Sequence, residues 1–264
     1  MNPSESALAR KARREGTGKA VSVSDLTYPG NAHSLPRDLA SPMPGVDLWW
    51  CELATDADAI AAFAHWLSAA EHARASRFGR PSLAARYIAG RANLRWILAG
   101  YVGGSPTEVP IERAANGRPH LAGIDRLDFN VSNTREVALI GVTTLAQARI
   151  GVDVEHAMRA LDHAGLSRKY LTSGEQRLVS GLAEDARRRA FLRLWTCKEA
   201  MSKATGDALS APLRRMDVTL APALRLVDGP PPYVPAAWAL ADAAAPADFL
   251  ATVALWQPQP APPV

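Results

Sequence analysis

The sequence predicts an α+β fold, in which helices pack on small, mostly antiparallel sheets. Apolar residues recur at helical spacing in residues 57–78 and 82–102, and short strand-like runs follow between residues 127 and 155. The same order, helices first and strands afterwards, returns between residues 172 and 256. With 264 residues, the chain is long enough for one large or two small domains with a sizeable core.

The first half begins with VDLWWCEL at residues 46–53, a run typical of a strand. The helical segments at 57–78 and 82–102 come next, and the second is predicted to end at the Gly and Pro residues of YVGGSP. Three strand-like runs then follow, at residues 127–133, 136–143 and 148–155. Their short connections predict an antiparallel meander.

The second half opens with a helix start, because Thr172 and Glu175 have the spacing of a capping box. Residues 186–205 form a longer helical segment, which is predicted to end at Gly206. RMDVTL, AAWALA and DFLATVALW are then predicted to be strands.

The ends of the chain have a different composition from its centre. Residues 1–44 are rich in Ser, Pro, Ala and basic residues, which predicts a largely disordered basic N-terminal extension. Residues 258–264 form a Pro-rich tail. Between them we predict an N-terminal subdomain over 45–145 and a C-terminal subdomain, with the metal site, over 146–257.

The composition excludes several classes of protein. Apolar residues make up 48% and charged residues 21%, as in soluble globular proteins, and no apolar run is long enough to span a membrane. The N-terminus lacks the apolar core of a secretory signal and only two cysteines are present, so a cytoplasmic protein is expected. The net charge of +4 suits an anionic ligand. The sequence has no stripe of interleaved Arg and aromatic residues, so nucleic-acid binding is not predicted.

The run IGVDVE at residues 150–155 places two carboxylates in an apolar strand. Asp153 and Glu155 point to the same face, where they would repel each other unless a cation such as Mg²⁺ lies between them. An exposed strand end, with Val152 and Val154 turned inward, is the alternative, and it is favoured when the run is taken alone.

A second acidic position lies in the long helix. Glu199 follows Trp195 by four residues and precedes Lys203 by four, so the three share one face. Glu199 is a candidate third carboxylate for the metal, with Lys198 and Lys203 as candidate partners of an anionic ligand. A surface Glu–Lys pair beside a core Trp is the ordinary alternative.

Several other polar residues indicate a function only when their order along the chain is considered. The helical run RYIAGRANLR contains Arg86 and Arg91, the turn NGRP contains Arg118, and FNVSNT contains Ser132 and Asn133. Taken singly, each is typical of a solvated surface. Followed by IGVDVE and LWTCKEAMSKATGDAL, they resemble the motifs of the 4′-phosphopantetheinyl transferases of the surfactin-synthetase type, over roughly residues 45–257.

This resemblance implies two similar halves in pseudo-twofold relation, with coenzyme A in the cleft between them. It also implies transfer of 4′-phosphopantetheine from coenzyme A to a serine of an apo acyl or peptidyl carrier protein, with release of adenosine 3′,5′-bisphosphate. Mg²⁺ would be held by Asp153, Glu155 and Glu199. Glu199 and Lys203 would be catalytic, and either Glu199 or a metal-bound water would take the serine proton. Two halves in one chain favour a monomer.

The residues implied to contact coenzyme A are Arg86, Arg91, Arg118, Ser132, Asn133, Asp153, Lys198 and Lys203. Two of them depart from the family pattern, since Arg118 stands where relatives usually have Lys and Asn133 where many have His. The alternatives are a non-catalytic relative that binds coenzyme A or a carrier protein, a nucleic-acid-binding protein that uses the basic N-terminal arm, and a Mg²⁺-dependent nucleotide hydrolase. The presence of all three carboxylates and both helix lysines disfavours the non-catalytic relative.

Overall fold

The computed structural model of the chain describes residues 28–30, 34–53 and 56–258. The α-helices of this part are α1 (Ala57–Ala64), α2 (Ala69–Ala75), α3 (Pro81–Val102), α4 (His163–Tyr170), α5 (Ser173–Ser180) and α6 (Glu184–Thr205). Its first strands are β1 (Arg37–Leu39), β2 (Val46–Glu52), β3 (Ile111–Arg113), β4 (Pro119–Leu121), β5 (Asp128–Thr134), β6 (Val137–Thr143) and β7 (Arg149–His156). The remaining strands are β8 (Asp217–Thr219), β9 (Arg225–Asp228), β10 (Trp238–Asp242) and β11 (Phe249–Trp256). The predicted α+β class is confirmed.

The predicted terminal segments are described only in part. Residues 34–44 contain strand β1, whereas residues 1–27 and 31–33 of the predicted N-terminal extension lie outside the described residues. The same holds for residues 259–264 of the Pro-rich tail. No helix in the described ranges combines the length and apolarity that crossing a membrane requires.

The strands form one sheet of four in the order β1-β2-β6-β5, one of three in the order β10-β11-β7, and the pairs β3-β4 and β8-β9. The predicted meander is therefore wrong at its third strand, because β7 joins β11 and not β6. The β7–β11 pairing is antiparallel and sets Asp153 opposite Thr252 and Glu155 opposite Leu250.

One predicted helix is divided into two in the structure, and one further helix was not predicted. The segment predicted as one helix over 57–78 is two helices, because Ser68 begins α2 with a capping box to Glu71. The short helix α4 was not predicted, and it begins where the Asp162 side chain accepts the Gly165 N–H.

Two other predicted helix boundaries are confirmed, and the long helix predicted from residue 186 begins two residues earlier. Thr172 and Glu175 form the capping box of α5. The longest helix of the second half, α6, ends at Gly206, whose φ of 88° lies in the left-handed region that favours glycine.

The chain divides into two compact units. Unit 1 comprises the described residues within Met1–Asp38, Trp49–Ile111 and Arg135–Ala138. Unit 2 comprises Leu39–Leu48, Glu112–Thr134 and the described residues from Leu139 onward. The core of unit 2 includes buried residues of α6, such as Phe191, Leu194 and Met201, and of β11, such as Leu250 and Ala254.

Candidate active site

Strand β7 and helix α6 of unit 2 approach each other closely at Gly151. A Cβ atom at this position would collide with the backbone carbonyl of Ala200, so only glycine fits. Because side chains alternate along a strand, Asp153 and Glu155 share the face of Gly151. The sequence thus turns both carboxylates toward the helix that carries Glu199.

The opposite face of β7 is apolar and also covered. Ile150 and Val152 pack against Gly141 of β6, where an added Cβ would lie 2.6 Å from a Val152 methyl group. Asp153 is 5% exposed and Glu155 is 7% exposed. The alternative of an exposed strand end is therefore wrong, and the two carboxylates are buried.

The free edge of β7 is hydrogen-bonded by side chains of β5 instead of by a backbone ladder. Alternate β5 side chains each accept one β7 backbone N–H, and the pairs are Asp128 with Ile150 (2.8 Å), Asn130 with Val152 (3.1 Å) and Ser132 with Val154 (3.3 Å). Leaving one such buried N–H unpaired costs about 1–3 kcal/mol. Because its N–H groups are satisfied in this way, β7 does not need to pair with β6 as the third strand of a meander. The same hydrogen bonds fix the positions of Asp153 and Glu155 relative to β5.

Arg118 anchors this arrangement from the turn before β4. Its guanidinium forms a bidentate pair with Asp128 (2.8 and 2.7 Å) and donates to the carbonyls of Ile150 (2.9 Å) and Lys203 (3.0 Å). Its side chain is 5% exposed. These contacts engage Arg118 in holding β5, β7 and the end of α6 together, so they do not support the predicted contact with coenzyme A.

Asp153 is held at one carboxylate oxygen only. Its Oδ1 accepts hydrogen bonds from Ser132 Oγ (2.8 Å) and Lys203 Nζ (2.6 Å), and Lys203 Nζ also donates to Ser132 Oγ (2.8 Å). Its Oδ2 is buried and has no hydrogen-bond partner in the described residues. Asp153, Ser132 and Lys203 thus form one hydrogen-bonded group of predicted site residues. The second carboxylate oxygen of Asp153 has no partner in this group.

Glu199 presents a second carboxylate oxygen of this kind. Its Oε1 is buried and has no hydrogen-bond partner among the residues that the structure describes. Burial raises the pKa of Glu199, the negative charges of Asp153 and Glu155 raise it further, and Lys203 opposes them. These influences on its pKa indicate that Glu199 lies within electrostatic range of Asp153 and Glu155.

Glu155 is more engaged than the other two carboxylates. It forms an ion pair with Arg159, whose side chain is 47% exposed, and it accepts a long hydrogen bond from Thr134 Oγ1 (3.4 Å). Burial raises its pKa, and so does Asp153, while Arg159 lowers it. Sequence analysis did not identify Arg159, which lies four residues after Glu155, just beyond the turn that follows β7.

Two of these side chains suit a hard cation. Within the described ranges, no three His, Cys, Asp or Glu side chains already form a metal-binding group. Asp153 Oδ2 and Glu199 Oε1, however, are buried acceptors without a partner, and Mg²⁺ commonly takes one or two carboxylates together with waters and substrate phosphates. The residues therefore fit Mg²⁺ through Asp153 and Glu199, whereas Glu155 stays a predicted third ligand that is paired with Arg159.

The hydrogen bonds of Lys198 go to residues other than Asp153, Glu155 and Glu199. Its side chain is fully buried, and its ammonium donates to Glu175 (2.6 Å) and to the carbonyls of Leu213 (2.7 Å) and Tyr170 (3.2 Å). An ammonium has three donors, and all are used. The predicted contact of Lys198 with coenzyme A has no support in this geometry, and we assign Lys198 to the packing of α6 against α5.

Asn133 is exposed, on the face of β5 opposite to Ser132. Its predicted contact with coenzyme A remains a prediction.

The two predicted arginines on α3 belong to unit 1 and differ in their engagement. Arg86 pairs with Glu136 (2.9 Å), whose side chain is 69% exposed, and such a solvated pair exchanges partners at little cost. Arg91 Nε donates to Glu71 (2.6 Å), a buried carboxylate that Arg95 also contacts (2.7 Å). Arg86 is therefore the freer of the two for a phosphate, and both contacts with coenzyme A remain predictions.

Several residues of the site escaped sequence analysis. Asp128 and Asn130 carry the side-chain ladder, and Glu175 neutralises Lys198. The signal for the ladder was present in DFNVSNT, where polar residues alternate in a strand with Phe129 and Val131. Polar residues at alternate positions of a buried strand indicate a row of hydrogen-bond acceptors facing one direction.

Comparisons with known proteins cover the part of the chain that carries this site. The family model of the 4′-phosphopantetheinyl transferase superfamily matches residues 149–252, which include β7 and α6. The 4′-phosphopantetheinyl transferase HetI of Nostoc sp. is 34% identical over 235 residues, which are 85% of this chain and 94% of the relative.

Two relatives from Bacillus are more distant. The 4′-phosphopantetheinyl transferase psf-1 of Bacillus pumilus is 29% identical over 174 residues, which are 64% of this chain and 72% of the relative. A 4′-phosphopantetheinyl transferase of Bacillus subtilis is 24% identical over 154 residues, which are 58% of this chain and 66% of the relative. Because the similarity to the Nostoc protein extends over most of both chains and includes the acidic strand and its facing helix, the chain belongs to the 4′-phosphopantetheinyl transferase superfamily.

Proposed function

We propose that this protein transfers 4′-phosphopantetheine from coenzyme A to a serine of an apo acyl or peptidyl carrier protein, in a Mg²⁺-dependent reaction of the surfactin-synthetase type. The observation that carries this proposal is the pair of unpartnered, buried oxygens on Asp153 and Glu199, beside the Lys203 ammonium. Most buried polar groups of folded proteins are hydrogen-bonded, and a bound cation would supply the partner that these two oxygens lack. The similarity to psf-1 supports the subtype weakly.

The metal would be held by Asp153 and Glu199, with Glu155 as a third carboxylate within electrostatic reach. When bound, Mg²⁺ neutralises charge on the diphosphate of coenzyme A and so stabilises the leaving group. Ser132 and Lys203 both donate to Oδ1 of Asp153, and these two bonds leave Oδ2 free to act as a ligand. The hydrogen bonds therefore orient the carboxylate that the metal needs.

Lys203 has a second role in this proposal. Its side chain is 26% exposed, and its ammonium donates to Asp153 Oδ1, to Ser132 Oγ and, in a long bond of 3.3 Å, to the Val152 carbonyl, so a phosphate oxygen would replace the last of these acceptors. A partly exposed cation at this place attracts a phosphate oxygen of coenzyme A and adds charge neutralisation during transfer.

Glu199 is the proposed general base. If Oε1 holds the metal, the other carboxylate oxygen of Glu199 is the one that would accept the proton of the carrier serine. The carrier serine loses its proton to Glu199 as its oxygen bonds to the phosphorus next to the pantetheine. The bond from that phosphorus to the bridging oxygen breaks, and the bridging oxygen leaves on adenosine 3′,5′-bisphosphate.

The cytoplasmic location and the monomeric state expected from the sequence belong to the same proposal. Apo carrier proteins, coenzyme A and Mg²⁺ meet in that compartment.

One incubation tests the proposed reaction. The full chain is mixed with Mg²⁺, coenzyme A and several apo carrier domains, and the carriers are weighed by mass spectrometry. We expect a gain of one phosphopantetheine on at least one carrier, and no gain when a chelator is present. Breakdown of coenzyme A without a carrier would instead point to a nucleotide hydrolase, and binding without any gain would point to a non-catalytic relative.

A further inference from the structure

Each carboxylate of the acidic strand β7 has a cationic side chain beside it. Lys203 Nζ donates to Oδ1 of Asp153 at 2.6 Å, and a guanidinium nitrogen of Arg159 donates to Oε1 of Glu155. The two cations come from different parts of the chain, since Lys203 belongs to α6 and Arg159 follows β7 by three residues. They nevertheless occupy corresponding places, one for each carboxylate.

Hydroxyl groups of β5 extend this correspondence. Ser132 and Thr134 are alternate residues of β5, so their side chains lie on the same face of the strand. Ser132 Oγ donates to Oδ1 of Asp153 (2.8 Å), and Thr134 Oγ1 donates to Oε2 of Glu155 (3.4 Å). Each carboxylate of β7 is thus contacted by one cation and one hydroxyl.

The two oxygens of Glu155 differ in how strongly they are engaged. Oε1 takes the charged contact with Arg159, whereas the contact recorded for Oε2 in the described part of the chain is the bond from Thr134. At 3.4 Å that bond is longer than the usual O–H···O range of about 2.5–3.0 Å, and it is therefore weak. Oε2 of Glu155 thus corresponds to the unpartnered Oδ2 of Asp153, as the oxygen that is available to a cation.

The turn that carries Arg159 is held in place by its own contacts. The Arg159 N–H donates to the His156 carbonyl (2.9 Å), and His156 Nδ1 accepts the Met158 N–H (3.1 Å). The His156 ring also packs edge-on against Phe249 of β11. The backbone at Arg159 is therefore fixed beside Glu155, although the Arg159 side chain is 47% exposed.

Arg159 would act on a cation at Glu155 in two opposite ways. Its positive charge repels Mg²⁺, but solvent screens the charge of a half-exposed guanidinium. Its hydrogen bond orients Glu155, and loss of such a bond to a ligating carboxylate commonly lowers metal affinity by about 10- to 100-fold. The orienting effect is the larger of the two.

We propose that Arg159 is a positioning residue of the metal site. It holds Oε1 of Glu155 and leaves Oε2 to bind Mg²⁺, as Lys203 and Ser132 do for Oδ2 of Asp153. This inference rests on the proposed function, since it takes the proposed Mg²⁺ site as its starting point. It adds Glu155 to Asp153 and Glu199 as a ligand, and it gives a role to a residue outside the acidic strand.

Calorimetric titration of the full chain with Mg²⁺ alone tests this role, because it needs neither a carrier protein nor a transfer reaction. We expect Arg159→Met to weaken Mg²⁺ binding by about tenfold or more. Arg159→Lys keeps a cationic donor and should recover part of the affinity. Arg225→Met is the matched control, since it removes the same charge from an exposed position on β9, and it should bind Mg²⁺ as the unchanged protein does.

A double-variant cycle shows whether Arg159 acts through Glu155. In the Glu155→Gln protein, adding Arg159→Met should weaken Mg²⁺ binding much less than it does in the unchanged protein. Equal or tighter binding by Arg159→Met, no recovery by Arg159→Lys, or the same loss in both backgrounds would overturn the inference while leaving the proposed transfer reaction intact. Failure of the unchanged protein to bind Mg²⁺ would overturn the inference and the proposed metal site together.

Discussion

Glu199 illustrates how burial and charge together define a reactive residue. Its pKa is raised, so the folded protein binds this proton more tightly than the unfolded chain does. The stability that follows from the raised pKa is fully present below the unfolded value, near 4.5, and is lost as the pH rises through the folded value. Ionised Glu199 therefore destabilises the metal-free protein near neutral pH.

We accordingly expect Glu199→Gln to gain stability over the unchanged protein as the pH rises. In chelator, urea unfolding at a series of pH values should show a difference near zero at about pH 4 and a stabilised variant at neutral pH. Glu112→Gln serves as the control, because Glu112 is exposed on β3 and its replacement should show no such trend. A difference that is constant across the pH range would show that Glu199 does not titrate as described.

At the scale of secondary-structure elements, the side-chain ladder from β5 holds β7, the strand that carries Asp153 and Glu155, in place. Asn130 is buried and accepts the Val152 N–H, whereas Asn133 on the same strand is exposed. We expect Asn130→Ala to lower the free energy of unfolding by about 1–3 kcal/mol, because it leaves a buried N–H unpaired. Asn133→Ala should change it by less than about 0.5 kcal/mol. Urea unfolding measures both, and equal effects of the two variants would refute the ladder.

The contact between α5 and α6 rests on Lys198 and Glu175. Removing one partner of a buried ion pair commonly costs about 3–5 kcal/mol, so Lys198→Met should destabilise strongly, and adding Glu175→Gln should restore part of the loss. Lys169→Met is the exposed control, with an expected change below about 0.5 kcal/mol. A Lys198→Met protein of normal stability that binds coenzyme A poorly would return Lys198 to the ligand site predicted from the sequence.

These elements show what sequence patterns can and cannot supply. Helical periodicity and capping signals predicted α3, α5 and α6, since those signals are local and strong. They missed α4, which has few apolar residues, and they assigned β7 to a meander, because pairing between distant strands leaves no local mark. Glu199 and Asp153 were found because their spacing is part of a motif, whereas the ion pairs of Lys198 and Arg118 depend on residues far away in the chain.

At the scale of the whole molecule, the net charge of +4 bears on the choice of partner. A basic protein should attract an acidic carrier, and ionic strength screens such attraction over distances near 10 Å. We expect the KM for the carrier to rise with salt while kcat changes little, as measured by steady-state transfer at low and high ionic strength. A neutral osmolyte at matched concentration controls for effects of crowding, and a KM that ignores salt would argue against electrostatic recognition.

The central claim is that the unpartnered carboxylate of Glu199, on the helix that faces Asp153, carries the transfer reaction. Carrier mass spectrometry on Glu199→Gln tests it most directly, beside Glu184→Gln, which alters an exposed glutamate of the same helix. We predict that Glu199→Gln folds normally and adds no phosphopantetheine at saturating Mg²⁺, while Glu184→Gln modifies the carrier as the unchanged protein does. Near-normal modification by Glu199→Gln would contradict the claim.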